Sequence, residues 1–158
     1  MIEPKQFVED LAAIGIDFYV GVPDSLLKDF CAYVDDHGKP GQHVITANEG
    51  NAVAMASGYH MATGKSAVVY LQNSGLGNTI NPLTSIADKE VYKTPMLLVV
   101  GWRGEPGVKD EPQHIKQGRI TPEQLDLLEI PYRVVAADDG LEYLVTWASG
   151  QLVSTGAP

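Results

Sequence analysis

Residues 66–72, SAVVYLQ, form an apolar run with adjacent valines and no polar alternation, and they lead straight into a Gly-rich turn, NSGLGN, at 73–78. A strand exposed on one face alternates apolar with polar side chains. A run that is apolar throughout suits a strand buried on both faces, as in a parallel sheet sandwiched between helices. Outward from this strand the same grammar repeats. DFYVGV (17–22), QHVIT (42–46) and PMLLVVG (95–101) read as further strands, and PYRVVA (131–136) as a weaker fifth. Between them EPKQFVEDLAAIG (3–15) repeats Phe7, Val8, Leu11 and Ala12 at helical spacing and stops at Gly15. DSLLKDFCAYVDDHG (24–38) opens on Asp24 or Ser25 as a cap and ends at Gly38, a long small-residue helix follows Glu49, and DGLEYLVTWASGQLV (139–153) closes the chain. Strands separated by helices predict an α/β fold, a parallel sheet with helices on both faces, as one domain over residues 1–158.

Ligands of such sheets bind outside the carboxyl ends of the strands. The loops of interest are therefore GVPDS (21–25), TANEG (46–50), QNSGLGN (72–78) and GWRGEPGVKDEPQHIKQGR (101–119). The last is long for a compact domain, and connections of that kind are functional lids or binding loops more often than spacers.

Composition narrows the function. A net charge of -9 with no Lys/Arg cluster leaves no basic stripe for a phosphate backbone, so nucleic acid is not an expected partner. One cysteine, Cys31, excludes an intrachain disulfide, and the first residues, MIEPKQFVEDL, have neither a basic n-region nor an apolar h-region. A cytoplasmic protein with no membrane association is expected. Cys31 lies among Leu27, Phe30 and Val34 and reads as core. The histidines at 37, 43, 60 and 114 show no zinc-ligand spacing, so no metal ligands are assigned. There is no Gly-x-Ser-x-Gly elbow, no P-loop, and only a Gly75-x-Gly77 core in place of a dinucleotide fingerprint.

Glu49 is the singular residue. Thr46-Ala47-Asn48-Glu49 fits a capping box, which needs no function. Yet no other charge occurs between Glu49 and Lys65, and Gly50, Ala54 and Gly58 recur every fourth residue. A helix without a charged face is expected to be largely buried, with a flat stripe that a backbone or a planar ligand can approach. An acid at its head would be poorly solvated, which suits it to proton transfer.

GVPDSLL (21–27), NEGNAVAMASGYHMATGK (48–65) and QNSGLGNTINPLTSIADKE (72–90), in this order and each after a strand, together resemble the pyrimidine-binding (PYR) domain of thiamine diphosphate-dependent decarboxylases, a flavodoxin-like fold. GVPDS and DEPQH (110–114) are similar to the branch of that family acting on phosphonopyruvate and sulfopyruvate. The resemblance implies that Glu49 bonds to N1′ of the aminopyrimidine, with Gly75, Gly77 and Asn78 beside the cofactor. It also implies decarboxylation of phosphonopyruvate to phosphonoacetaldehyde and CO2. The alternatives are a sulfopyruvate decarboxylase α subunit and a non-catalytic binding module on the same fold. A substrate with an anionic tail needs donors and cations at the strand ends. The candidates are Ser25, Asn73 and Arg119, with Lys116 nearby and His114 as a second catalytic residue that shuttles a proton; solvated surface positions are the alternative for Arg119 and His114. The family's Gly-Asp-Gly motif for diphosphate and magnesium is absent from this sequence. Thiamine diphosphate and Mg2+ are therefore expected to be held mainly by a PP domain of the same or another chain, the chain itself being an amino-terminal fragment of a homo-oligomer.

Overall fold

The computed structural model describes residues 3–136 and 139–158. Four strands, β1 (Tyr19–Gly21), β2 (His43–Ile45), β3 (Ala67–Gln72) and β4 (Met96–Gly101), pair in parallel in the order β2-β1-β3-β4. The helices are α1 (Pro4–Ala13), α2 (Lys28–His37), α3 (Glu49–Thr63), α4 (Leu76–Pro82), α5 (Pro112–Leu127) and α6 (Leu141–Thr155).

The unbroken apolar run of β3 divides its residues between two cores, as a doubly covered strand requires. Ala67, Val69 and Leu71, with Val20 of β1 and Phe18 just before it, pack with Ala52, Val53 and Ala56 of α3, Leu76 of α4 and Leu125 of α5. Val68 and Tyr70, with Tyr19 of β1, face Leu11 of α1, Phe30 and Val34 of α2, and Val145 and Leu152 of α6. Burial pushes the Tyr19 hydroxyl up to about 12 and raises that of Tyr70 as well, so both stay protonated in this second core. Burial also raises the Cys31 thiol, consistent with a packing residue.

Two expectations are corrected. PYRVVA joins no ladder: residues 131–136 carry no strand, and β4 forms the edge of a four-stranded sheet. A β-run becomes a strand only beside a partner edge. Here Val134 and Val135 stay exposed, and the segment is held by Arg133, which stacks on the rings of Tyr143 and Trp147 of α6 at 5.1 and 5.0 Å.

The second correction concerns the long loop after β4, which gives way at Pro112 to the 16-residue helix α5. Pro122 sits inside this helix and has no N–H to offer the carbonyl of Gly118, four residues back. The indole Nε1–H of Trp102 donates to that carbonyl at 2.8 Å. Gly118 itself lies where any side chain would overlap the Gly104 backbone, so α5 seats directly on the loop that precedes it. No helix among the described residues is long and apolar enough to cross a membrane.

Candidate active site

Glu49 does not cap its helix. The N-cap of α3 is Asn48, whose side chain accepts from the Asn51 N–H at 3.0 Å, while the Thr46 hydroxyl donates to the carbonyls of Asn48 (2.9 Å) and Gly21 (3.3 Å). The capping-box reading is thereby overturned: the Thr46 hydroxyl is turned to backbone oxygens and a nearer Asn takes the N–H. The half-buried Glu49 carboxylate turns sideways toward α4 instead. Its Oε2 accepts from Asn78 Nδ2 at 2.7 Å, and Oε1 has no donor among the described residues.

Glycines make this approach possible. A side chain at Gly75 would overlap the Glu49 carboxyl group, and a Cβ at Gly50 would lie 2.7 Å from the Asn78 carbonyl oxygen. Over the exposed Gly77 there is open space, and a methyl group added there would meet no atom within 4 Å. The site is therefore an acid with one oxygen free of donors, an amide that orients the other, and a glycine, Gly75, that makes room for it.

Helix α3 is not largely buried as expected. Ala52, Val53, Ala56 and Ser57 face the core, whereas Asn51, Ala54, Met55, Gly58, Met61 and Ala62 lie at helical spacing on the exposed side. Met55 and Met61 are 41% and 56% exposed, and Ile80 of α4 is 44% exposed. Helix α3 thus has two apolar faces, and its own domain covers one of them.

A second polar group occupies the carboxyl ends of β1, β3 and β4. Buried Asp24 accepts from Gln72 Nε2 (2.6 Å) and from the Leu26 N–H (2.9 Å), bridging the crevice between β1 and β3. Asn73 is fully buried and both its amide protons are used, on the Arg103 carbonyl (2.9 Å) and Thr121 Oγ1 (2.8 Å), while its Oδ1 accepts from the Arg103 N–H (3.1 Å). Its assignment as a substrate donor is therefore corrected. It splices the β4 loop and α5 onto the end of β3, and no proton is left to offer a ligand. Asn73→Ala is expected to destabilise the protein by about 2–4 kcal/mol in chemical denaturation, since the part-buried Arg103 carbonyl and the buried Thr121 hydroxyl lose the Asn73 donor.

Sequence reasoning missed Arg103. Its Nε donates to Asp110 Oδ2 at 2.8 Å, its Nη2 to Asp110 Oδ1, and its Nη1 to the hydroxyl of Ser25 at 2.9 Å. Asp110 also accepts from the N–H groups of Gly104 and Glu111, each at 2.8 Å. The loop expected to be a lid or binding loop is thus clamped, and GWRG held a signal in being the first cation past a buried strand.

The Arg103 hydrogen bonds, helped by these backbone donors, hold the Asp110 carboxyl well below the usual carboxylate range. A depressed carboxylate contributes stability above its unfolded pKa of about 3.9 and loses it as pH falls toward the folded value. The melting-temperature gap between wild type and Asp110→Asn should accordingly be constant from pH 7 to 5 and close below about pH 4.

His114 stands in the first turn of α5, half-buried, its backbone against Gly104 and its imidazole without a hydrogen-bond partner among the described residues. Lys116 and Arg119 are exposed, off the inward face formed by Gln117, Gly118, Thr121 and Leu125. They are not loop residues gathered at the strand ends, which corrects the placement of Arg119 as a substrate ligand. Among the described residues no group of three or more His, Cys, Asp or Glu is placed to hold a metal ion.

Residues 4–127 match the family model of the thiamine pyrophosphate enzyme, N-terminal TPP binding domain. The chain is 38% identical over 136 residues to a phosphonopyruvate decarboxylase of Streptomyces viridochromogenes, a match that covers 85% of this chain and 33% of that protein. It is 40% identical over 120 residues to the sulfopyruvate decarboxylase subunit alpha of Methanothermobacter thermautotrophicus, covering 75% and 69%. It thus spans about a third of the one relative and about two thirds of the other. In structure it is similar to a thiamine diphosphate-dependent 4-hydroxybenzoylformate decarboxylase of Rhodococcus jostii RHA1, with a TM-score of 0.67 and 23% identity over 95% of this chain and 27% of that one, a likeness of fold.

Proposed function

The chain belongs to the thiamine pyrophosphate enzyme family as its N-terminal TPP-binding domain, and from this premise we propose that it is the cofactor-activating half of a 2-oxo acid decarboxylase. The observation that carries the proposal is Glu49, which does not cap its helix, is oriented by Asn78 and keeps one carboxylate oxygen without a donor, lying against Gly75.

These residues fit the flat pyrimidine end of thiamine diphosphate, whose thiazolium ring supplies the nucleophilic carbon and the electron sink for decarboxylation. Glu49 Oε1, which has no donor among the described residues, would hold a proton against a ring nitrogen, while Asn78 Nδ2 fixes Oε2. Gly75 gives the carboxylate its room, and the open space over Gly77 would leave room for the ring. His114, with an uncommitted imidazole, is the residue proposed to deliver a proton late in the reaction. Among the described residues no group of three or more His, Cys, Asp or Glu is placed to hold the magnesium that accompanies the diphosphate. We assign both to a PP domain of the same or another chain, which would cover the uncharged outer face of α3 and α4 and dry the surroundings of Glu49.

The proposed reaction is cleavage of the carboxylate–carbonyl bond of phosphonopyruvate, releasing CO2 and, after protonation, phosphonoacetaldehyde. Coverage of two thirds of a sulfopyruvate decarboxylase alpha subunit favours a second reading, in which the chain is one subunit of an enzyme for the sulfonate analogue. Measuring kcat/KM of the full-length, assembled protein on phosphonopyruvate, sulfopyruvate and pyruvate tests both, because discrimination resides in that ratio. The phosphonate is expected to lead. A preference for the sulfonate selects the second reading, and equal use of pyruvate removes the anionic-tail assignment.

A further inference from the structure

Among cations near the carboxyl ends of the strands, Arg103 has both its backbone and its side chain fixed before any ligand arrives. Asn73 holds its N–H and carbonyl, and Asp110 and Ser25 hold its guanidinium. A guanidinium carries five N–H groups. Asp110 takes the one on Nε and one on Nη2, and Ser25 takes one on Nη1. One N–H on Nη1 and one on Nη2 have no protein partner among the described residues, and the side chain is 19% exposed. The Ser25 hydroxyl accepts from Arg103, so its own proton stays available to a ligand.

We infer that Arg103, with Ser25, is the specificity-determining group for the far end of the substrate, and that it selects a tetrahedral, three-oxygen anion such as a phosphonate or sulfonate. The reaction it serves rests on the decarboxylase reading above; the anion site itself does not. Two guanidinium N–H groups and one O–H leave three donors, as many as the oxygens of such a tail. Asp24, Asp110 and Glu111 all lie close enough to act on the Arg103 charge, so the local field is acidic and does not attract anions by itself. Recognition there depends on directed N–H donors, for which a guanidinium fork is suited and a lone ammonium is not. Because Asp110 and Asn73 have already ordered the side chain, little conformational entropy remains to be lost on binding. Lys116 and Arg119, which the sequence put forward, are exposed and make no hydrogen bond or ion pair among the described residues.

The test uses the full-length protein, assembled with its partner domain or subunit, and phosphonoacetate as a non-reacting probe in titration calorimetry. The double variant Arg103→Gln/Asp110→Asn replaces the ion pair by a neutral amide pair of similar shape and leaves the net charge unchanged. Its affinity for phosphonoacetate should fall about 10–100-fold, the size of a lost charge-assisted hydrogen bond or two. Arg103→Lys, a milder change should the double variant lose its native circular dichroism, keeps the charge, loses the fork and should also bind more weakly. Wild-type affinity in either folded variant, an equal loss in Arg119→Gln, or no binding by the wild type would overturn the inference. Decarboxylation assays on the same wild-type preparation judge the reaction separately. Phosphonoacetate bound through Arg103 by a protein that decarboxylates no 2-oxo acid would keep the anion site and remove the decarboxylase reading.

Discussion

Glu49→Gln should lower the turnover of the assembled enzyme by about 10²–10⁴-fold, the range spanned by loss of a general acid–base group, and leave its melting temperature almost unchanged. The two effects separate because of where the side chain is. Gln is isosteric and its amide oxygen can still accept from Asn78 Nδ2, but it cannot take up and return a proton. The helix start survives, since Asn48 and not Glu49 caps α3. What stability is lost comes from one negative charge at a helix N-terminus, about 0.3–1 kcal/mol. Single-turnover decarboxylation and a thermal melt on the same samples decide the matter. Near-normal turnover would return Glu49 to a purely structural part.

Gly75→Ala should cost turnover roughly 10–100-fold through displacement alone, in line with the penalty for about 1 Å of misplacement. Backbone strain is not the cause, because Gly75 lies at φ -81° and ψ -11°, which alanine adopts freely. The added methyl would overlap the Glu49 carboxyl group, and the flexible end of that side chain must swing aside. A crystal structure of the variant should show a rotated carboxylate on an unchanged fold. At Gly77 a methyl group meets nothing within 4 Å. A fall in cofactor affinity on Gly77→Ala, without loss of stability, would therefore report a ligand lying over that residue. Full activity in Gly75→Ala would mean that Glu49 works from another position.

The sheet was legible because its signal is local. SAVVYLQ and PMLLVVG are apolar on both faces, and each became a buried or partly buried strand. Glu49, Gly75 and Asn78 were legible as a group through the resemblance of the strand-end loops, and the structure does bring the three together. Helix α5 was not legible. PQHIKQGRITPEQLDL contains Gly118 and Pro122, both unfavourable inside an isolated helix. It is helical because Gly118 must meet the Gly104 backbone, Trp102 satisfies the carbonyl that Pro122 orphans, and Gln117 Nε2 donates to the Asn73 carbonyl at 2.9 Å.

The sequence by itself determined the α/β class, the parallel sheet and the acid at the head of α3, because periodicity and burial of apolar runs depend on near neighbours along the chain. Tertiary structure alone decided which polar residues are free to act. Asn73, read as a donor to substrate, is consumed by Arg103 and Thr121, from segments 30 and 48 residues away. Arg103, passed over in the loop, is held ready by Asp110 and by Ser25, the latter 78 residues away. Whether a hydrogen-bonding group is satisfied depends on partners that only folding brings within about 3 Å, and no local pattern records them.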